Sequence, residues 1–372
     1  MAVFKIFPEK DTFIFSDGIA SNAGKDEIVE LNNYSDIFGT SQQSRILVKF
    51  NDNQINSTIN SLIGSQSYQA NIEYYLAEAH QVPTEFSINA YPLYISGAVE
   101  WDNGTGKYGD IPSNKSGVSW KYIQANETNP WISTTPSNVT SSFDSSATGG
   151  GTWYTGSNGV DLEGEEVFKL NQELDLSIDV TNAIKQIISG SILNKGFIIK
   201  LDEQLEFSEN YNTRLKYFGI DTNTIYPPSL TFKWDDSTYN TGSLEVLNTE
   251  ITSIDITNNK GKYVDEGKQR FRIHSRPKYP ERMFTTSSIY LQNYALPEES
   301  YWGLKDENTE EMVVDFDENY TKVSCDDRGG FFDIYMNGLQ PERFYRILIK
   351  TNIDNSSIVV DNENIFKIVR NG

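Results

Sequence analysis

The sequence predicts a soluble, all-β protein of two sandwich-like domains, and three of its features lead there. Apolar residues recur two apart in short runs, as in strands with one buried face. Clusters of Gly, Asn, Asp and Ser separate those runs and supply turn chemistry. Aromatic residues make up 13% of the chain, with 21 Tyr and 20 Phe, so it carries the large apolar groups that a disordered chain lacks. At 372 residues the length suits two domains, each able to bury a core without disulfide staples.

The elements follow in order. Phe4 and Ile6, then Phe13 and Phe15, alternate with their neighbours, and Asp17-Gly18 and Asn22-Ala23-Gly24 supply turns. Ser44 to Phe50 (SRILVKF) reads as a strong strand, and Gln54 to Leu62 as a short helical segment. Ala70 to Ala79 and Phe86 to Leu93 read as two strands joined by a hairpin loop. Between Gly97 and Gly164 the texture changes to Gly, Ser, Thr and Asn, yet Trp101, Trp120, Trp131 and Trp153 lie within it. Ser141 to Asn158, with Gly149-Gly150-Gly151, reads as its most mobile part. Leu176 to Thr181 is an expected strand, Asn182 to Ser189 a short helix with apolar positions at helical spacing, and Phe197 to Leu201 and Arg214 to Phe218 are further strands. Ser229 to Trp234 alternates and closes the first domain, 1–236. Residues 237–243 have linker composition. The second domain, 244–372, carries expected strands at Glu250–Ile256, Gln269–His274, Met312–Phe316, Phe331–Met336, Tyr345–Lys350, Ile358–Val360 and Ile365–Val369, a spacing that suits an immunoglobulin-like sandwich.

Several of these pieces, in this order, resemble the DNRLRE domain. They are Pro8 to Ile14 with Asn22-Ala23-Gly24, Ser44 to Phe50, Trp101 followed by Val118-Ser119-Trp120, Asp179-Val180-Thr181, Asn194 to Phe197, and Pro228-Ser229-Leu230. The resemblance implies a jelly roll related to carbohydrate-binding modules over residues 1–235. The second domain resembles C-terminal parts of virion structural proteins of contractile-tailed phages. That resemblance rests on Arg276 to Pro280, Ala295-Leu296-Pro297, Asp315-Phe316-Asp317 and Met336 to Arg343. It implies a particle component without chemistry of its own. The expected fold is therefore an N-terminal jelly-roll sandwich with long loops plus a C-terminal immunoglobulin-like β-sandwich.

Charge and chemistry narrow the function. A net charge of −21 would repel nucleic acid and anionic lipid, so neither is an expected direct partner. The single cysteine, Cys325, allows no internal disulfide and suits a reducing compartment. The N-terminal residues do not read as a signal peptide, and no apolar run is long enough to span a membrane. The two histidines, His80 and His274, have no nucleophile-elbow motif beside them and read as surface or strand-face residues. Cys325 reads as a partly buried, inert thiol. Asp102, Asp110, Asp144 and Asp161 could supply a structural calcium site, yet no EF-hand spacing supports it, and solvated loop acids are the plainer alternative.

Four residues are the candidate partner contacts: Trp131, Trp153, Arg270 and Arg272. The tryptophans admit three readings: anchors at a protein interface, a sugar-stacking platform, or a small core that holds the long loop. Trp101 and Trp120 read as structural. Lys268, Arg270, Arg272, His274, Arg276, Lys278 and Arg282 form a basic run, which is either a solvated strand face or a docking surface for an acidic neighbour. The expected function is a non-enzymatic virion structural protein in head, neck, tail or baseplate, assembled in the host cytoplasm without cofactors. Its expected partners are other virion proteins and copies of itself. A glycan-binding adhesin or receptor-binding module is the alternative.

Overall fold

The structure, a computed structural model, describes residues 2–35, 41–131, 138–141, 149–208, 210–281, 288–354 and 356–371. It is all-β, about 45% strand and 10% helix, built of antiparallel sheets with jelly-roll-like sandwich character. Two compact units emerge, one of residues 6–64 and 69–231, the other of 1–5, 65–68 and 232–372.

In the first half of the chain the strands are β1 (Ala2–Ile6), β2 (Lys10–Phe15), β3 (Ile28–Ser35), β4 (Ser41–Lys49), β5 (Tyr68–Tyr74), β6 (Leu76–His80) and β7 (Glu85–Pro92). Short strands follow: β8 (Tyr122–Gln124), β9 (Thr128–Pro130), β10 (Val139–Ser141), β11 (Thr152–Tyr154), β12 (Gly156–Ser157) and β13 (Val160–Asp161). Then come β14 (Gly164–Lys169), β15 (Leu176–Asp179), β16 (Phe197–Leu201), β17 (Arg214–Phe218) and β18 (Ser229–Trp234). A large sheet runs β14-β7-β16-β4-β3-β17-β6 with β2 also on β4, and a smaller one runs β1-β18-β5-β15. Ala70 to Ala79, expected as one strand, is therefore two, and they belong to different sheets. The break at Tyr75 is invisible to alternation because both halves are β-prone. Asp52–Ser57 forms helix α1, capped by the Asn51 side chain, which accepts from the Asn53 and Gln54 amides at 2.9 and 3.3 Å. Thr181–Ile188 forms α2 and Glu203–Glu206 the single turn α3.

Register across the large sheet sorts its side chains by face. Phe13 pairs with Ile46, and Ile46 with Ile199; Asp11 pairs with Val48, and Val48 with Phe197. These share one face, and all are buried. The opposite face carries Thr12, Leu47 and Ile198 in one row, with Ile14 opposite Arg45 and Lys10 opposite Lys49. In most antiparallel sandwiches that second face would meet water. Here it is buried too, so β4 is dry on both sides from Ser44 to Val48.

The second unit contains β19 (Thr252–Ile256), β20 (Lys262–Val264), β21 (Lys268–Pro277), β22 (Ser300–Asp306), β23 (Met312–Val314), β24 (Ser324–Asp326), β25 (Gly329–Tyr335), β26 (Phe344–Ile353) and β27 (Ser356–Val369). They form a four-stranded sheet, β19-β21-β25-β24, and a five-stranded sheet, β20-β27-β26-β22-β23. Aromatic rings stack through the core: Trp302 on Phe332 at 5.2 Å, Phe332 on Phe271 at 5.6 Å, and Phe271 beside Phe366 at 5.6 Å. The stretch 237–243, expected as a linker, lies within this unit. Asn240 N donates to Cys325 O at 3.1 Å, Cys325 N to Thr238 O at 2.8 Å, and the Tyr239 hydroxyl to Leu296 O at 2.7 Å. Its polar composition resembles a linker, but backbone pairing is indifferent to that composition.

Asp11 makes the inner face titratable. Its carboxylate accepts the Ile220 amide at 3.0 Å, and burial pushes its pKa up to about 7, with Asp221 adding to the rise. A carboxyl raised from 3.8 destabilises the fold as it ionises, so its penalty starts near pH 4 and is complete above pH 7. Asp11→Asn is expected to stabilise this unit at pH 8 by up to about 4 kcal/mol. Denaturant titrations of both proteins at pH 4 and pH 8 check it; an equal gain at the two pH values would rule out this cause.

Candidate functional site

The long segment from Gly97 to Gly164 is the layer that covers the second face of the large sheet. Trp101, Trp120, Trp131 and Trp153 are all buried, in one cluster with Ile14, Leu47, Leu93 and Ile198. Two of them also donate their ring N–H within the chain. Trp101 Nε1 donates to Lys195 O at 2.8 Å, and Trp131 Nε1 to Ser119 O at 3.1 Å. This corrects the expectation that Trp131 and Trp153 stand at a partner or sugar surface. The segment is Gly/Ser/Thr-rich and has little other apolar surface of its own, so the rings pack where the sheet offers a dry face. The small-core reading describes them.

Asn22 ties the layer down. Its amide donates to Asn103 O at 2.8 Å and Val118 O at 3.0 Å, while its Oδ1 accepts the Gly24 and Gly106 amides at 3.1 and 3.0 Å. A side chain on Gly24 would place Cβ 1.9 Å from Asn103 O, so this turn requires glycine. The triple glycine, expected to be mobile, is buried instead. Gly150 N donates to Trp120 O at 2.6 Å, and at Gly149 (φ +116°) a Cβ would lie 2.0 Å from that same oxygen. Glycine here permits close approach. Residues 142–148, including Asp144, and residues 132–137 lie outside the described residues.

Beneath the tryptophans lies an ion triad that sequence reasoning missed. Arg45, on the covered face of β4, is 1% exposed, and Glu206, at the end of α3, is 0%. Arg45 Nε and Nη2 donate to the two Glu206 oxygens at 2.6 and 3.0 Å, and Lys200 Nζ lies 3.0 Å from Oε2. Burial alone would raise the Glu206 pKa, but Arg45 and Lys200 beside it hold it below the usual carboxylate range. The Arg45 guanidinium lies 5.1 Å from the Trp120 ring and 5.2 Å from Trp153, and it also donates to Gly150 O. Nearer the rim, Glu100 holds Lys195 at 2.7 Å and Lys49 at 3.0 Å. Lys10 Nζ sits 4.2 Å over the Trp101 ring. The only hint in the sequence was Arg45 directly before the apolar run Ile46-Leu47-Val48.

The remaining candidates are placed individually. Arg270 donates from Nε and Nη2 to the Asp333 carboxylate at 2.8 and 2.9 Å, with Lys268 at 3.0 Å from the same group. Arg272 donates to Asp326 at 2.6 Å, and both guanidinium groups lie over Phe331, at 4.0 and 4.8 Å. The arginines therefore do not form an unanswered basic face: their carboxylates come from the neighbouring strands β24 and β25. Arg282 lies outside the described residues. Each described calcium candidate caps a backbone amide: Asp102 that of Ala125, Asp110 that of Lys107, and Asp161 that of Glu163, at 2.9, 2.9 and 3.0 Å. Among the described residues no group of three His, Cys, Asp or Glu side chains is placed to hold a metal ion. His80 lies 2.7 Å from Glu78 on the surface, and His274 is paired with Asp255 across β19 and β21. Burial, with Asp326 beside it, pushes the Cys325 thiol up to about 11. A cavity of about 190 Å³ opens between residues 162–165 and 179–183, with Glu163, Glu165 and Asp179 in its lining.

No protein-family model matches the chain, and no curated protein does. Among solved structures it is similar to a DUF4785 family protein from Legionella pneumophila, at 9% identity and a TM-score of 0.18. That alignment covers 97% of this chain and 65% of the other, so the chain spans under two thirds of its length. A likeness at this level carries no argument about fold or function.

Two outcomes follow from the geometry. Glu206→Gln leaves two buried cations facing a neutral group, so the expected loss is about 3–5 kcal/mol, with red-shifted tryptophan emission as Trp120 and Trp153 loosen. Chemical denaturation followed by fluorescence measures both, and an unshifted spectrum with wild-type stability would show that the triad does not hold the layer. Arg270→Glu would face Asp333 directly, and is expected to destabilise the second unit by about 1 kcal/mol. A calorimetric midpoint equal to that of wild type would return Arg270 to the status of a free surface charge.

Proposed function

We propose that this chain is a non-enzymatic structural protein of a tailed-phage particle, held there by contacts with other particle proteins. The observation that supports the reading is a group of exposed large side chains at one place in the second unit. Tyr279 is 77% exposed, Leu291 76%, Ile251 59% and Tyr290 55%. Backbone and Arg276 contacts link the segments that carry them. The Arg276 guanidinium lies 5.0 Å over the Tyr290 ring and donates to Lys278 O at 3.3 Å, and Lys278 N donates to Ile251 O at 2.9 Å. Grouped apolar side chains with Tyr and Arg are the composition of energetic anchors at protein interfaces. The sequence left Arg270 and Arg272 between a solvated strand face and a docking surface, and both are paired within the chain. A glycan-binding module would stack sugars on exposed rings, and Trp131 and Trp153 are turned inward, so they offer that alternative no platform.

Mass spectrometry of purified phage particles whose genome encodes this chain tests the reading. The protein is expected at a copy number comparable with other particle proteins. The double variant Tyr279→Ser/Leu291→Ser is expected to fold normally and to be incorporated at least about tenfold less, the loss of one or two interface anchors. Absence of the wild-type protein from particles would end the particle reading; normal incorporation of the variant would end the role of this surface.

A further inference from the structure

We infer that the loop between β17 and β18 is a pH-sensitive latch, closed over a protonated Asp11 carboxyl and opened when that carboxyl ionises. The inference goes beyond the particle reading and does not depend on it. Asp11 lies in β2 and is 3% exposed. The Ile220 amide donates to its Oδ2 at 3.0 Å, and a Cβ on Gly219 would lie 3.2 Å from the same oxygen, so the loop backbone runs directly against the carboxyl. The base of the loop is fixed. Phe218 and Tyr226 stack at 5.4 Å, Tyr75 lies 5.3 Å from Tyr226, and the Gly219 amide donates to Glu27 O at 2.9 Å. From Ile220 to Thr224 the residues are half-buried or exposed. A segment with so little buried surface and a clamped stem can lift without unfolding the sheet beneath it.

Two buried carboxylates of this unit are answered differently. Glu206 has Arg45 and Lys200. Asp11 has the Ile220 amide, and the cation facing it, Lys25, is held by Asp221 at 3.1 Å. Asp221 itself faces Asp11 from the loop and opposes its charge. From β5 the fully buried Tyr74 hydroxyl faces it, and burial together with Asp11 keeps that phenol protonated. From β4 its register partner is the apolar Val48. The other acids of the turn that carries Lys25 are engaged elsewhere: Asp26 accepts the Tyr108 amide at 2.6 Å, and Glu27 lies 3.3 Å from Lys107. A charge on Asp11 therefore finds its best additional partner in water, and water reaches it when the loop lifts.

Linkage sets the direction. Under the closed loop the carboxyl titrates at about 7, and in water at its ordinary value of 3.8. Below pH 4 both states hold the proton, and the latch is at its firmest. Between pH 4 and pH 7 the open state loses its proton first, so opening grows more favourable with each step in pH. Above pH 7 both states are ionised and the gain levels off, at up to about a thousandfold in the open population.

Hydrogen exchange of the full chain tests the latch. With each rate divided by its intrinsic rate, protection of the Ile220 amide is expected to fall at least about a hundredfold from pH 4 to pH 7, and to change little above pH 8. Ile199, paired on both sides in the large sheet, is expected to exchange at least about tenfold more slowly than Ile220 at each pH, because the loop lifts without the sheet. Asp11→Asn is expected to make the protection of Ile220 independent of pH over this range. Where that variant does not fold, the wild-type profile decides by itself. Wild-type protection that does not change with pH, equal rates at Ile220 and Ile199, or an unchanged profile in folded Asp11→Asn would each overturn the inference.

Discussion

From Ser44 to Val48, β4 has water on neither side, and that stretch carries an arginine. A guanidinium there is tolerated only if every part of it is answered inside the protein, because desolvation costs several kcal/mol per ion. Glu206 answers its charge, Gly150 O takes a further N–H, and the Trp120 and Trp153 rings flank it. These partners come from residue 206, from the glycine turn at 150 and from rings at 120 and 153. None is near Arg45 in sequence. The triad is complete only when α3, β16 and the covering segment are all in place. Such an arrangement adds little net stability over a well-packed apolar one, but it penalises any arrangement in which one partner is missing.

The covering layer follows from the same constraint. Leu47, Ile14 and Ile198 give the sheet an apolar second face, and four tryptophans with Ile95, Val118 and Ile123 pack against it. The rest of the segment need only turn tightly, which its Gly, Asn and Ser residues do through Asn22 and the Gly149–Gly151 turn. Composition that reads as looseness is here the means by which backbone approaches backbone.

The fold class was legible because strand signals are local: β2, β18 and β21 show alternation in the sequence, while β4 and β25 show short apolar runs. What escaped was whatever depended on a distant partner or lacked a period. β22 (SYWGLKD) is buried almost throughout and shows no alternation, and β27 reads as two strands because Asp361-Asn362-Glu363-Asn364 interrupts its apolar residues. The candidate sites fared likewise. The sequence marks Trp131 and Trp153 as notable but does not say which way they face. It marks Arg270 and Arg272 as basic, whereas Asp333 and Asp326 that neutralise them lie more than fifty residues away. Arg45 and Glu206 are separated by 161 positions, and no local pattern joins them.

The same pairing habit governs the outer face of the five-stranded sheet. Arg346 holds Glu307 at 2.6 Å, Glu310 at 2.8 Å and Asp361 at 3.0 Å. Exposed pairs of this kind contribute little stability, about 0.2–1 kcal/mol each. Their larger effect is on what the surface offers to others. Cations spent on neighbouring strands leave the surplus carboxylates to set the external field, so broad faces of two copies repel at low salt. A surface of this kind makes any approach of like copies depend strongly on ionic strength.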